Sequence, residues 1–256
     1  MHMKPLKVGV LGGTFDPVHN GHVFVAEYVL QELGLDRVYL VTAKSPPHKS
    51  HFIADAEFRH AMVEEAIKGK PRLLASRLEL DREGKSYTVD TFRQLKEELP
   101  PGTELYMITS VEYLRPEPAE SELAPADCLG KPADRHLHWL GNWEGVDELF
   151  RLCRIVVTPR RHMDAALARE WAALLPAADI IVVDLPSPPV SSLMVKRHLK
   201  HGLPIHDLVP PAVEAWIKRT GLYTADGSSA DLAHLEQFAP STETYSTERT
   251  LSPTSN

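Results

Sequence analysis

The 256-residue chain is 43% apolar and 25% charged, an ordinary balance for one large folded domain that buries its own core. Its formal net charge of −7 argues against a bulk nucleic-acid footprint, which wants excess Lys and Arg, and no apolar run approaches the roughly 18 residues of a membrane span. Two cysteines, Cys128 and Cys153, are too few for a disulfide framework and, with no signal segment visible, predict a reducing, cytoplasmic setting.

In chain order, residues 6–11 predict a buried strand stopped by Gly12 and Gly13, 21–33 a helix ended by Gly34, and 37–42 a second strand. A helix over 56–68 ends at Gly69, 73–80 is a strand, and a helix over 88–99 is stopped by Pro100 and Pro101. Strands follow at 104–109, 155–158 and 179–184, the last two separated by a helix near 164–175, and helices at 191–201 and 211–220 close the pattern. This alternation predicts a doubly wound α/β domain with a mostly parallel sheet covered on both faces. Such sheets take ligands at the carboxyl ends of their strands.

Two stretches break the pattern. Residues 115–138 hold four prolines and little periodicity, and read as an inserted loop. Residues 224–256 are rich in Ser, Thr and acids and read as a disordered tail. The tail has five acids and one base, so it carries −4 of the −7 and leaves −3 on the domain proper, residues 1–223. A local basic cluster for a phosphorylated ligand is compatible with that.

The strongest signal is the segment GGTFDPVHNGH, residues 12–22, between the first strand and the first helix. Its glycines let the backbone approach a ligand closely, and the helix N-terminus presents unpaired N–H groups and positive dipole character to an anion. His19 and His22 are three apart and can share a face, with Gly21 leaving room between them. Two imidazoles over a helix N-terminus make a phosphate site. The Walker pattern G-x-x-x-x-G-K-[ST] is absent.

The segment resembles the GGTFDPxHxGH signature of the nucleotidylyltransferase superfamily, whose HxGH motif serves transfer of a nucleotidyl group from a nucleoside triphosphate. Within it, further stretches resemble the nicotinate mononucleotide adenylyltransferases. These are PPHK at 46–49, Arg59, SYTVDT at 86–91, Trp143, Ser191-Ser192 with Lys196 on the family's SSTxIR motif, and 206–223 on its C-terminal helix and Gly-Leu-Tyr end.

The resemblance covers roughly residues 6–223 and implies a Rossmann-like nucleotidylyltransferase fold. It also implies adenylyl transfer from ATP, with Mg²⁺, to the 5′-phosphate of nicotinate mononucleotide. By motif position His19, His22 and Lys196 would be catalytic, and Gly12, Gly13, Thr14, Phe15, Glu112, Ser191 and Ser192 would join them in binding ATP. Lys44, Lys49, Thr88 and Trp143 would hold the acceptor. No protein-held metal is expected, since Cys128, His136 and His138 in the insert have no established zinc spacing.

The chain also departs from the family pattern. GxD after the fourth strand is Ser110-Val111-Glu112, and SSTxIR carries Leu193 for threonine and Lys196 for arginine. Lysine keeps the charge but loses the planar fork. Relatives often have asparagine after the second strand where this chain has Ala43-Lys44, and the insert adds about twenty residues just before Trp143. Nicotinamide mononucleotide or phosphopantetheine as acceptor, or a nucleotide-binding relative without catalysis, are the competing expectations.

Overall fold

A computed structural model describes residues 4–44, 54–116, 139–159, 163, 165–186 and 189–223. Six strands form one sheet: β1 (Lys7–Gly13), β2 (Arg37–Thr42), β3 (Leu73–Ser76), β4 (Glu104–Ser110), β5 (Arg154–Thr158) and β6 (Ile180–Val182). Every neighbouring pair is parallel, in the order β3-β2-β1-β4-β5-β6. The helices are α1 (Asn20–Glu32), α2 (Ala56–Ala66), α3 (Thr88–Glu98), α4 (Val146–Leu152), α5 (Ala165–Ala172), α6 (Ser192–Lys200) and α7 (Pro211–Thr220).

The strands divide their side chains between two cores, as the period of two requires. Leu11, Val38, Leu40, Ile108 and Val156 face one side, with Val23, Ala26 and Val29 of α1, Phe58 and Met62 of α2, Val195 of α6, and Val213, Trp216 and Ile217 of α7. Val8, Val10, Val41, Met107, Ile155 and Val157 face the other, with Val89, Phe92 and Leu95 of α3, Leu149 of α4 and Ala168 of α5. This is the doubly wound, Rossmann-like arrangement expected from the sequence. From β1 the chain winds outward through β2 to β3, then crosses back to β4 on the other side of β1. The carboxyl ends of β1 and β4 therefore flank the switch point, where such sheets bind ligands.

Some boundaries differ from the sequence expectation. β1 does not stop before the glycines: Gly12 and Gly13 pair with Val41 and Thr42, and the Gly13 carbonyl accepts the Ala43 N–H at 2.9 Å. β3 ends at Ser76 rather than at residue 80. The short α4, with Gly145 at φ 64° as its N-cap, spans too few residues to declare a helical period. Residues 117–138, with Cys128, His136 and His138, and the tail 224–256 lie outside the described residues.

The end of β2 carries a buried titratable contact. His60 of α2 is 2% exposed, with Nδ1 3.2 Å from Thr42 Oγ1. Burial, aided by the Arg77 charge, pushes its pKa down from 6.5 to about 4. The folded protein thus keeps His60 neutral where the unfolded chain takes up a proton. Its contribution is complete above about pH 6.5 and declines as pH falls toward 4, by about 3 kcal/mol in all. In urea unfolding across that window, wild type should lose about this much more stability than His60→Asn; parallel pH profiles would show that His60 does not titrate this way.

Candidate active site

The loop after β1 is shaped around its aromatic rings. Phe15 is buried at φ 49°, and a Cβ on Gly13 would come within 2.8 Å of its ring. The ring meets His22 edge-on, with centroids 5.0 Å apart. His19 is the N-cap of α1 in extended conformation, and its ring stacks on that of His22 with centroids 3.6 Å apart and planes 21° from parallel. A Cβ on Gly21 would sit 3.0 Å from His19 Nδ1 and from Val190 Cγ1, so glycine is what admits the stacked pair. The His19 N–H donates to His22 Nδ1 at 3.2 Å. In the neutral ring that places the proton on Nε2, which becomes a donor. The site thus joins two imidazoles to the electropositive start of a thirteen-residue helix.

Behind the loop lies a charge cluster. Asp16 is 1% exposed. Its Oδ2 accepts from Lys196 Nζ at 2.6 Å, and its Oδ1 accepts from the Tyr223 hydroxyl at 2.5 Å and the Ala54 N–H at 3.2 Å. Arg59, also 1% exposed, donates to the carbonyls of Ala54 (2.8 Å), Thr14 (2.6 Å), Ala43 (2.8 Å) and Lys44 (3.1 Å). It fastens the exits of β1 and β2 to the start of α2. Burial draws the Arg59 pKa down, and the Asp16 charge works against that. A guanidinium remains protonated regardless. Asp16 thus faces two cations, Lys196 and Arg59, and the Asp55 carboxylate also acts on Arg59.

The remaining sequence-predicted residues fall on both sides of the switch point. Gly12 is exposed, and a Cβ there would meet no heavy atom within 4 Å. Thr14 contributes its carbonyl to Arg59. Ser191 caps α6, accepting the Met194 N–H at 3.2 Å, and Ser192 Oγ donates to the Pro17 carbonyl at 2.9 Å. Ser192 thereby ties α6 to the loop, while Ser191 caps the helix itself. Lys196 has Asp16 as its immediate partner. Glu112 lies in the 3-10 turn Val111–Leu114 directly after β4, half-buried, with its N–H 3.4 Å from Ser110 Oγ.

Of the residues expected to hold the acceptor, Thr88 is the first helical residue of α3, whose N-cap is Tyr87. Trp143 meets the Tyr113 ring edge-on at 5.3 Å. Lys44 Nζ donates to the Arg82 carbonyl at 2.6 Å. Arg82 in turn donates to Ser86, to Thr91 at 3.2 Å and to Gln94 at 2.7 Å, holding the start of α3. Lys49 and the rest of PPHK lie outside the described residues.

The sequence reading assigns no role to Asp16 or Tyr223. The available signal was Asp16 itself, a lone carboxylate among Phe15, Pro17 and Val18: if buried there, it must find a cation.

The cytidylyltransferase-like family model matches residues 10–198. The Dehalococcoides mccartyi protein named "Probable nicotinate-nucleotide adenylyltransferase" is 36% identical over 224 residues, covering 86% of this chain and 98% of that protein. The Moorella thermoacetica protein of the same name is 35% identical over 224 residues, covering 86% and 93%. Among solved structures, Plasmodium falciparum nicotinic acid mononucleotide adenylyltransferase complexed with NaAD is similar with a TM-score of 0.64 at 16% identity. That match covers 85% of this chain and 97% of the other, and at such low identity it bears on the fold alone.

Proposed function

We propose a reaction for a chain that belongs to the cytidylyltransferase-like family and, within it, to the nicotinate-nucleotide adenylyltransferases: transfer of the adenylyl group of ATP to the 5′-phosphate of nicotinate mononucleotide, a step of NAD biosynthesis. The observation that carries this reading is the stacked His19–His22 pair on the N-terminus of α1, at the carboxyl end of β1. That is where an anionic triphosphate finds donors already aimed.

In this reading an oxygen of the acceptor phosphate attacks the α-phosphorus of ATP in line. The bond from that phosphorus to the bridging oxygen breaks, and pyrophosphate leaves with the electron pair. The attacking group is already an anion, so the chain needs no strong base. It supplies position and charge neutralisation.

His22 Nε2–H and His19 hold the phosphates as negative charge shifts toward the leaving group. Lys196 adds to that field, with the amides of Gly13 and Thr14 close to the nucleotide and Phe15 bracing His22 edge-on. Ser191 and Ser192 set the start of α6 beside the phosphates, and Glu112 at the end of β4 receives the adenosine ribose. Thr88, Trp143 and the positive charge of Lys44 and Lys49 serve the mononucleotide.

Among the described residues no three His, Cys, Asp or Glu side chains group to hold a metal ion. Mg²⁺ would enter with the nucleotide substrate, neutralising its phosphates. No described helix is long and apolar enough to cross a membrane, and we place the reaction in the cytoplasm, with small molecules rather than nucleic acid as partners.

Pyrophosphate release from ATP and Mg²⁺, with nicotinate mononucleotide, nicotinamide mononucleotide and phosphopantetheine offered separately, tests this assignment. The expected order puts the nicotinate compound first; preference for either of the others would reassign the acceptor. The open space above Gly12 gives a second expectation. Gly12→Ala should fold normally by thermal melting yet raise the KM for ATP by about tenfold, equivalent to about 1.4 kcal/mol, because the added methyl occupies the space the nucleotide enters. An unchanged KM would place the nucleotide away from Gly12.

A further inference from the structure

We propose that Tyr223 is a positioning residue of the nucleotide site: its hydroxyl holds the buried Asp16 carboxylate so that Lys196 can turn from Asp16 to the triphosphate. This inference rests on the role given to Lys196 in the proposed function.

The two partners in the ion pair are unequally placed. The Asp16 side chain is 0% exposed and that of Lys196 is 28% exposed, so the lysine reaches a fixed, enclosed carboxylate from the open side. Their 2.6 Å contact occupies the ammonium that the phosphates would need. A lysine on a flexible stem can exchange one anion for another, but withdrawing it from a buried carboxylate with no other donors is costly.

Asp16 has other donors. Its second oxygen accepts the Tyr223 hydroxyl at 2.5 Å and the Ala54 N–H at 3.2 Å, and Arg59 lies close enough to interact with its charge. Tyr223 is a permanent donor there, because burial and the Asp16 charge hold its phenol far above the ordinary tyrosine range. Its ring also lies 5.7 Å from Lys196 Nζ, a second favourable contact for the ammonium where it rests on Asp16.

The chain makes a deliberate detour to bring Tyr223 there. α7 ends at Gly221 with φ 66°, Leu222 packs into the core at 3% exposure, and Tyr223 itself adopts φ 67°. A left-handed non-glycine residue persists only where its surroundings hold it, and such residues cluster at functional sites.

Tyr223→Phe keeps the ring and removes only the donor. Asp16 then depends more heavily on Lys196, and ATP should bind about 5- to 20-fold more weakly by calorimetric titration. The KM for ATP should rise by a similar factor, while kcat and the KM for the acceptor change less than about threefold. In a Lys196→Met background the same substitution should have no further effect on ATP affinity. A purely structural tether would lower the melting temperature and leave that affinity unchanged.

Tyr223→Phe with wild-type ATP affinity, or with an equal loss whether or not Lys196 is present, overturns this proposal alone. Wild-type protein that binds no ATP overturns the functional reading and this inference with it. Wild-type protein that binds ATP without turnover contradicts the reaction but leaves the Tyr223 effect measurable by calorimetry.

Discussion

His22→Ala is expected to lower kcat by about 100- to 1,000-fold, the usual cost of losing one pre-aimed donor to developing charge, while the protein stays folded. His22 is half-exposed on the first turn of α1. Its structural duties are the hydrogen bond from the His19 N–H and the ring contacts with His19 and Phe15. Losing a capping contact of that kind costs about 0.5–2 kcal/mol, little for a domain with two well-filled cores. Steady-state turnover together with a thermal melt separates the two effects. Near-normal turnover in a folded His22→Ala protein would remove this residue from the chemistry.

The largest stability effect is expected at Arg59, a buried guanidinium whose donors go to backbone carbonyls of three different segments. Arg59→Met fills much of the volume but leaves those carbonyls without their donor and takes a cation from the neighbourhood of Asp16. Breaking such a buried charged network costs about 3–5 kcal/mol. Arg59→Lys should recover only part of this, since one ammonium cannot reproduce the planar fork that serves Thr14, Ala43 and Lys44 together. Urea unfolding of the two variants checks this. A loss below about 1 kcal/mol for Arg59→Met would mean that the loops hold themselves.

The elements that were legible in the sequence are those whose information is local. Strands such as Arg37–Thr42 and helices such as Pro211–Thr220 announce themselves through apolar runs, helix periodicity and terminal glycine or proline. Their alternation carries the parallel sheet. The first loop was legible because its motif is contiguous, in residues 12–22.

The extension of β1 through Gly12 and Gly13 was not, because pairing with Val41 and Thr42 outweighs the low strand propensity of glycine. The charge cluster was not either. Asp16 meets Lys196 across 180 positions and Tyr223 across 207, and no local pattern encodes which cation a buried carboxylate finds. Lys196 and the two serines of α6 read by motif as phosphate ligands. The fold additionally engages Ser192 and Lys196 in fixing α6 to the loop after β1, and Ser191 in capping α6.

The most direct test of the central claim follows the α-phosphorus of ATP. Wild-type protein is incubated with Mg²⁺, nicotinate mononucleotide and ATP labelled at that phosphorus, and the products are separated. The account predicts that the label moves into the dinucleotide one-for-one with pyrophosphate released, and that His22→Ala nearly abolishes both. Label that stays on ATP with wild-type protein, or leaves as free AMP without dinucleotide, would contradict adenylyl transfer at this site.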